Sequence, residues 1–416
     1  MKNLIIGASA AGISAAKKLR ELDNEAEITI ISKDEEVYSR CMLHHLIGGE
    51  RTLDELSFIS DDFWQQYDIN WLKGKEVKRV QPEAKSVLLA NNSEYEYDQL
   101  LVATGSTPFL PPIDNIEQSK GVFGLRDLAD AKEIASLGAK IEEAVVIGAG
   151  LVGMDAALGL NELGLDLTIV EFENRILARQ LDEEASLRYQ ARFNEAGIKV
   201  ITNRSAEEVL VDAADQVQGL KLDNGEEVSA QLVVVATGVR PNLDLINNTP
   251  IKVDEGIVVN QYQETNLDDI YAAGDVSESE EIFSDELTLT PIWPLAVKQG
   301  KVAAHNMAGE EMKLTDNFAY QNSMRFLGLS AITYGLVEVD SADYNVYVSQ
   351  DKNNYKKLIL KDNKLRGAIF VGDINESGVY GKLIKEKIDL SNYKDRLFEL
   401  SYGDFFREKK NGEFRY

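Results

Sequence analysis

The chain has 416 residues, length enough for two or three domains with sizeable cores. Its formal charge of −26 excludes the basic surface that phosphate backbones require, so nucleic acid is not an expected partner. No apolar run is long enough to span a bilayer, no signal peptide stands ahead of the first strand, and one cysteine excludes an intrachain disulfide or a four-cysteine metal site. A cytoplasmic chain with no membrane partner and no metal is expected.

In chain order, residues 4–7 read as a buried parallel strand, 13–22 as a helix rich in small residues, and 27–32 as the next strand. The turn between the first two is Gly7-Ala8-Ser9-Ala10-Ala11-Gly12, with serine where a middle glycine is usual. The same strand–helix–strand pattern returns at 144–171, around Gly148-Ala149-Gly150-Leu151-Val152-Gly153. In each turn the first glycine makes the bend, the second position lets backbone approach a pyrophosphate, and the third lets helix and strand pack closely. Two such turns in one chain predict two dinucleotides held face to face. Two further strands end in the same word, Ala103-Thr104-Gly105 and Ala236-Thr237-Gly238. Each leads into proline-containing chain that reads as a crossing out of a nucleotide-binding domain, and Pro108, Pro111 and Pro112 stiffen the first. Asp268 to Val276 is a strand ending in Gly274-Asp275, which sets a carboxylate at the ligand-binding edge of an α/β sheet. A helix follows at 294–307, just after Trp293, and from Tyr320 alternating strands and a short helix near Tyr380 predict an α+β domain.

In these motifs taken together, the chain resembles the FAD-dependent pyridine-nucleotide-disulfide oxidoreductase superfamily, strongly over roughly residues 1–310. The resemblance implies an α/β fold: two Rossmann-like three-layer domains, one for FAD and one for NAD, plus the C-terminal α+β domain. The FAD domain would be split, occupying 1–115 and 245–319. The NAD domain would occupy 116–244, and a C-terminal interface domain 320–416. FAD would sit on Gly7, Ser9, Ala10, Ala11 and Gly12, with Ser32 and Lys33 at the end of the second strand. Arg40, Thr104, Gly105, Gly274 and Asp275 would join it, the carboxylate holding the ribityl chain. Trp293 would lie over the ring or in the core, at a helix whose N-terminus stabilises the reduced flavin. NADH would sit on Gly148, Gly150, Leu151, Val152 and Gly153, with Gly238 nearby. Glu171 ends the second strand of that unit, where a carboxylate accepts from a ribose and repels a 2′-phosphate, so NADH is expected over NADPH. The corresponding strand of the first unit ends at Ser32-Lys33-Asp34 without the usual Glu.

Within the superfamily, Tyr38-Ser-Arg40-Cys41-Met-Leu43 is similar to the Tyr-x-Arg-Pro-x-Leu word of NADH:rubredoxin reductases and nitrite reductase flavoproteins, with cysteine in the proline slot. It also roughly matches the cysteine word of NADH oxidases and CoA-disulfide reductases. The tail Leu400-Ser-Tyr402-Gly-Asp-Phe405-Phe406 resembles the dimer-domain tail of NADH oxidases and implies a homodimer. Asp155 stands where relatives carry Glu, and His45 where that Glu's lysine partner is found in some of them, so the two read either as a substituted catalytic pair beside the flavin or as two positions that each tolerate change. Cys41 precedes His44 and His45, and imidazoles beside a thiol lower its pKa. Cys41 therefore reads either as a redox thiol or as a small buried side chain. A metal site from these three residues has no further ligand cluster to complete it.

The expected function is transfer of hydride from NADH to flavin, then of electrons to a small redox carrier or iron–sulfur protein. The alternatives are an oxidase or a CoA-disulfide or polysulfide reductase working through Cys41, or a non-catalytic flavoprotein subunit. An acidic carrier would need a local basic patch. The candidates are Lys352 with Lys356 and Lys357, or Arg407 with Lys409 and Lys410.

Overall fold

The computed structural model describes residues 1–282, 286–318 and 320–405, and the backbone at 407–408 and 414–415. The chain divides into two compact units, each discontinuous in sequence. The first comprises Met1–Pro111, Phe123–Ala139 and Thr237–Ala319. The second comprises Pro112–Val122, Lys140–Ala236 and Tyr320–Tyr416.

The first unit is built on a five-stranded parallel sheet, in the spatial order Ile270–Ala272, Gln99–Val102, Lys2–Ile6, Glu27–Ile31, Asn70–Leu72. Ile5, Ile30 and Leu101 are fully buried, as expected of strands covered on both faces. The strand order reverses at Lys2–Ile6, so the chain leaves this central strand at a topological switch point, where open α/β sheets bind ligands. The helix Ala10–Leu22 leaves that strand through the glycine turn. It buries Ala11, Ala15 and Ala16 and packs against the helix Trp293–Met307, which starts one residue earlier than the sequence suggests. Small residues permit the approach: a Cβ on Gly300 would lie 2.2 Å from the Ala11 carbonyl oxygen. The two proline-containing crossings pair with each other, Ser106–Pro108 running antiparallel to Val239–Pro241.

The second unit repeats the plan. Parallel strands Glu143–Ile147, Asp166–Val170, Lys199–Ile201 and Leu232–Val235 carry the second turn, and the helix Leu151–Glu162 leaves it. The C-terminal part is a five-stranded antiparallel sheet, ordered Gln321–Phe326, Leu329–Gly335, Lys364–Val371, Tyr355–Lys361, Asn345–Gln350. The helix Ser377–Lys385 covers it, with Tyr380 against Phe370. The mixed α/β class with a sheet-rich C-terminal domain agrees with the expectation from sequence.

Candidate functional site

Four of the five parallel strands of the first unit deliver their carboxyl ends to one cavity of about 270 Å³. Gly7, Ser32, Ala103 and Gly274 come from those ends, and Ser9, Ala10 and Ala11 open the first helix into it. The turn is shaped for close backbone approach. A Cβ on Gly7 would lie 2.2 Å from the Ala103 oxygen, and one on Gly12 would lie 1.9 Å from the Gly7 oxygen. Ser9 is extended at the helix N-cap and its side chain makes no cap hydrogen bond, so the helix N-terminus is presented to the cavity. Pro291, Trp293 and Ala296 bring the start of a second helix to the same space. A dinucleotide with a pyrophosphate fits this set: a side-chain-free turn, a helix N-terminus for the anion, and an aromatic wall for a flat ring.

Six of the charged side chains that line the cavity pair with one another. Asp275 accepts from Arg126 Nη2 at 2.6 Å and from the Ser106 hydroxyl at 3.0 Å. Arg40 is held by Asp34 at 2.7 Å and by Asp127, and it donates to the Tyr38 hydroxyl at 3.0 Å. Lys33 reaches Asp127 at 3.2 Å. Burial alone would push the Asp127 carboxyl up, but Arg40 and Lys33 hold it below the usual range. Asp34 thus spends its carboxylate on Arg40, and the Ser32 hydroxyl bonds Asp34 O and Trp71 Nε1. Thr104 and Gly105 are stitched to Asn242, whose amide donates to Thr104 O at 2.9 Å. Gln299, wholly buried in the Trp293–Met307 helix, accepts from the Gly274 N–H at 2.8 Å and ties that helix to the Gly274-Asp275 turn.

Cys41 lies in the single-turn helix Arg40–Met42, exposed and on the cavity wall, so its reading as a small buried side chain is corrected. The activating histidines are differently disposed from expectation. Burial pushes His44 down to about 4, so its ring is uncharged at neutral pH. His45 Nδ1 pairs with Glu50.

In the second unit the nucleotide turn has the same construction. A Cβ on Gly153 would lie 1.9 Å from the Gly148 oxygen, whereas nothing stands within 4 Å of one on Gly150. Close packing therefore dictates Gly153, and Gly150 leaves open backbone for a ligand. Leu151 and Val152 begin the helix, and Val152 is exposed. Glu171 accepts from the Ala149 N–H and, at 2.8 Å, from the Glu173 N–H, so its carboxylate lies against the turn. Gly238 is part of the first unit, where its carbonyl accepts from Phe109 N–H in the crossing.

Burial pushes the Asp155 carboxyl up to about 7. A carboxyl that titrates near 3.8 when unfolded and near 7 when folded keeps its full stability contribution below the lower value. Stability then falls as pH rises to the higher one. Asp155→Asn is therefore expected to leave the melting temperature unchanged near pH 4 and to raise it by several degrees at pH 8. Thermal melts at the two pH values check this.

Residues 1–300 match the family described as pyridine nucleotide-disulphide oxidoreductase. The chain belongs to this family. Residues 321–388 match the rubredoxin NAD+ reductase C-terminal domain. Family membership, with the NADH-dependent relatives, implies FAD and NADH as cofactors. A nitrite reductase [NAD(P)H] of Bacillus subtilis is 29% identical over 93% of the chain, which spans only 48% of that relative. The chain thus spans about half the length of the curated relative. NADH-rubredoxin oxidoreductase of Clostridium acetobutylicum is 29% identical over 96% of the chain and 97% of its own length. Its crystal structure superposes with a TM-score of 0.79 at 27% identity, covering 94% of this chain and 97% of that one. An NAD-dependent persulfide reductase from A. fulgidus gives a TM-score of 0.88 at 27% identity, covering 95% of this chain and 79% of the other.

Arg126, Asp127 and Gln299 carry no signal in the sequence. None belongs to a glycine word, and each meets its partner across more than twenty residues of chain. The basic-patch candidates also change. Lys357 is an internal residue, donating to Asp182 at 2.8 Å and to Val337 O at 2.9 Å. Lys409 and Lys410 and the Arg407 side chain lie outside the described residues, as does Phe406 of the tail. Beside the cavity, however, a groove of about 460 Å³ gathers Lys17, Lys301 and Lys18, the last paired with Glu21, over Phe58, Tyr67 and Trp293, so that lysines still outnumber carboxylates in its lining. Those lysines come from two helices far apart in sequence, so no run announces them. Among the described residues no helix is long and apolar enough to cross a membrane.

Proposed function

We propose that the protein is an NADH-dependent reductase of a small redox carrier protein, working as a homodimer in the cytoplasm. The observation that carries this reading is the lysine-rimmed groove that shares Trp293 with the dinucleotide cavity. In a chain of charge −26 such a groove is a local exception, and it suits an acidic carrier steered by charge. The full-length similarity to an NADH-rubredoxin oxidoreductase supports the same class of acceptor.

FAD, when bound, would supply the redox chemistry between NADH and the second acceptor. The chain's own residues hold and orient it. The Gly7 turn and the Ala10 helix end would face the pyrophosphate, with Arg40 and Lys33 beside it. Asp275, fixed by Arg126 and Ser106, would accept from hydroxyls of the cofactor. Glu171 would select an unphosphorylated ribose in the second unit. Asp155, carrying its proton up to about pH 7, would face the nicotinamide end as a neutral group.

Steady-state reduction of a purified rubredoxin or ferredoxin by NADH tests the proposal; absence of turnover with every carrier, alongside fast reduction of flavin, would sink it. The second reading is a persulfide or CoA-disulfide reductase, favoured by the exposure of Cys41 on the cavity wall. Cys41→Ser separates the two. The carrier reading expects turnover within about twofold of wild type, whereas a thiol mechanism expects loss of about a thousandfold or more, the scale of removing a nucleophile.

A further inference from the structure

Between Glu171 and the helix Glu183–Glu195 runs a loop of eleven residues that no glycine word includes. Three of its side chains, Ile176, Leu177 and Leu181, are essentially buried. Leu177 is left-handed, at φ 52°, a conformation that a leucine adopts only where its surroundings impose it. Held there, its N–H donates to the Ala149 carbonyl at 2.8 Å, the residue between Gly148 and Gly150. The Ala149 N–H in turn donates to Glu171. The nucleotide turn is thus gripped through Ala149 on both its N–H and its carbonyl, by Glu171 and by Leu177.

The far side of the loop is fastened to the C-terminal sheet. Asp182, buried at the N-cap of its helix, accepts from Ala185 N–H at 3.1 Å and from both Tyr355 and Lys357 of one sheet strand. Arg175 bonds the loop carbonyls of Ala178 and Leu181 and pairs with Glu338 at 2.7 Å. Asp182, Lys357 and Arg175 are largely removed from water, where charge-assisted bonds hold geometry well, whereas Glu338, just past the strand Leu329–Gly335, is half exposed.

We propose that the C-terminal sheet sets the shape of the NADH turn through this loop, with Asp182 and Arg175 as anchors and Leu177 as the positioning residue at Ala149. The inference rests on the reading that NADH occupies the Gly148–Gly153 turn.

The test is calorimetric titration of the FAD-loaded protein with NAD+, using Tyr355→Phe combined with Arg175→Met. The control is Tyr189→Phe, which cuts another bond from the same helix to the sheet, Tyr189 to Leu329 O at 3.1 Å, without touching the loop. The anchor variant is expected to bind NAD+ about tenfold more weakly, the usual scale of coupling through a packed network. Its flavin content and its rate of reduction at saturating NADH should match wild type, and hydrogen exchange at the Leu177 amide should quicken. Unchanged NAD+ affinity overturns the inference, as does an equal loss in Tyr189→Phe, which would mean general loosening. NAD+ binding that survives Gly153→Ala would remove the reading of the turn and the inference with it. Loss in Gly153→Ala with none in the anchor variant removes the inference alone.

Discussion

Gly153→Ala is expected to yield a folded, yellow protein that NADH no longer reduces. Its Cβ would sit 1.9 Å from the Gly148 carbonyl oxygen, so either the turn or the helix must move. A shift of about an ångström in a nucleotide cradle costs on the order of a hundredfold in productive binding. Stopped-flow mixing with NADH should therefore show reduction slowed by about a hundredfold or more, while dithionite reduces the flavin normally. The matching substitution in the first unit, Gly12→Ala, carries the same clash against Gly7 and should instead give protein without flavin. If both variants lost flavin, or if Gly153→Ala reacted with NADH at the wild-type rate, the division of the two turns between the two cofactors would be wrong.

Asp275→Ala should purify largely as apoprotein and melt at a lower temperature. Asp275 and Arg126 form a pair whose side chains are only 14% and 20% exposed. Removing one member leaves the other charged and poorly solvated, at a cost of about 3–5 kcal/mol when burial is complete and less here. Arg126→Met combined with Asp275→Leu removes the stranded charge and should restore much of the melting temperature, but not the flavin. Flavin content by absorbance and a thermal melt on the same samples separate the two effects. Full flavin occupancy in Asp275→Ala would mean that the carboxylate serves the fold alone.

These expectations differ in how far the sequence alone could reach them. Gly7, Gly12, Gly148 and Gly153 were legible because a backbone constraint forces a residue type at a fixed spacing. The Gly274-Asp275 strand was legible for the same reason. The environment of each carboxylate was not. Asp34 lies at the end of the second strand of the first unit, where the usual Glu is missing, yet Arg40 claims it, and Arg40 in turn draws in Asp127. Cys41 with two neighbouring histidines suggested a charged cluster. Burial of His44 and the Glu50 partner of His45 answer that suggestion, and neither could be read from spacing.

What the amino-acid order determined was therefore local: two dinucleotide turns, the strands that feed them, the small residues that let helices close on them, and a carboxylate at a sheet edge. Each follows from backbone geometry within about a dozen residues. What only the tertiary structure decided is which charges meet. Arg126 reaches Asp275, Lys17 shares a groove with Lys301, and Lys357 leaves the surface to anchor Asp182. The physical reason is that burial and ion pairing depend on distances across the fold, and sheet order sets those distances, which separation along the chain does not encode.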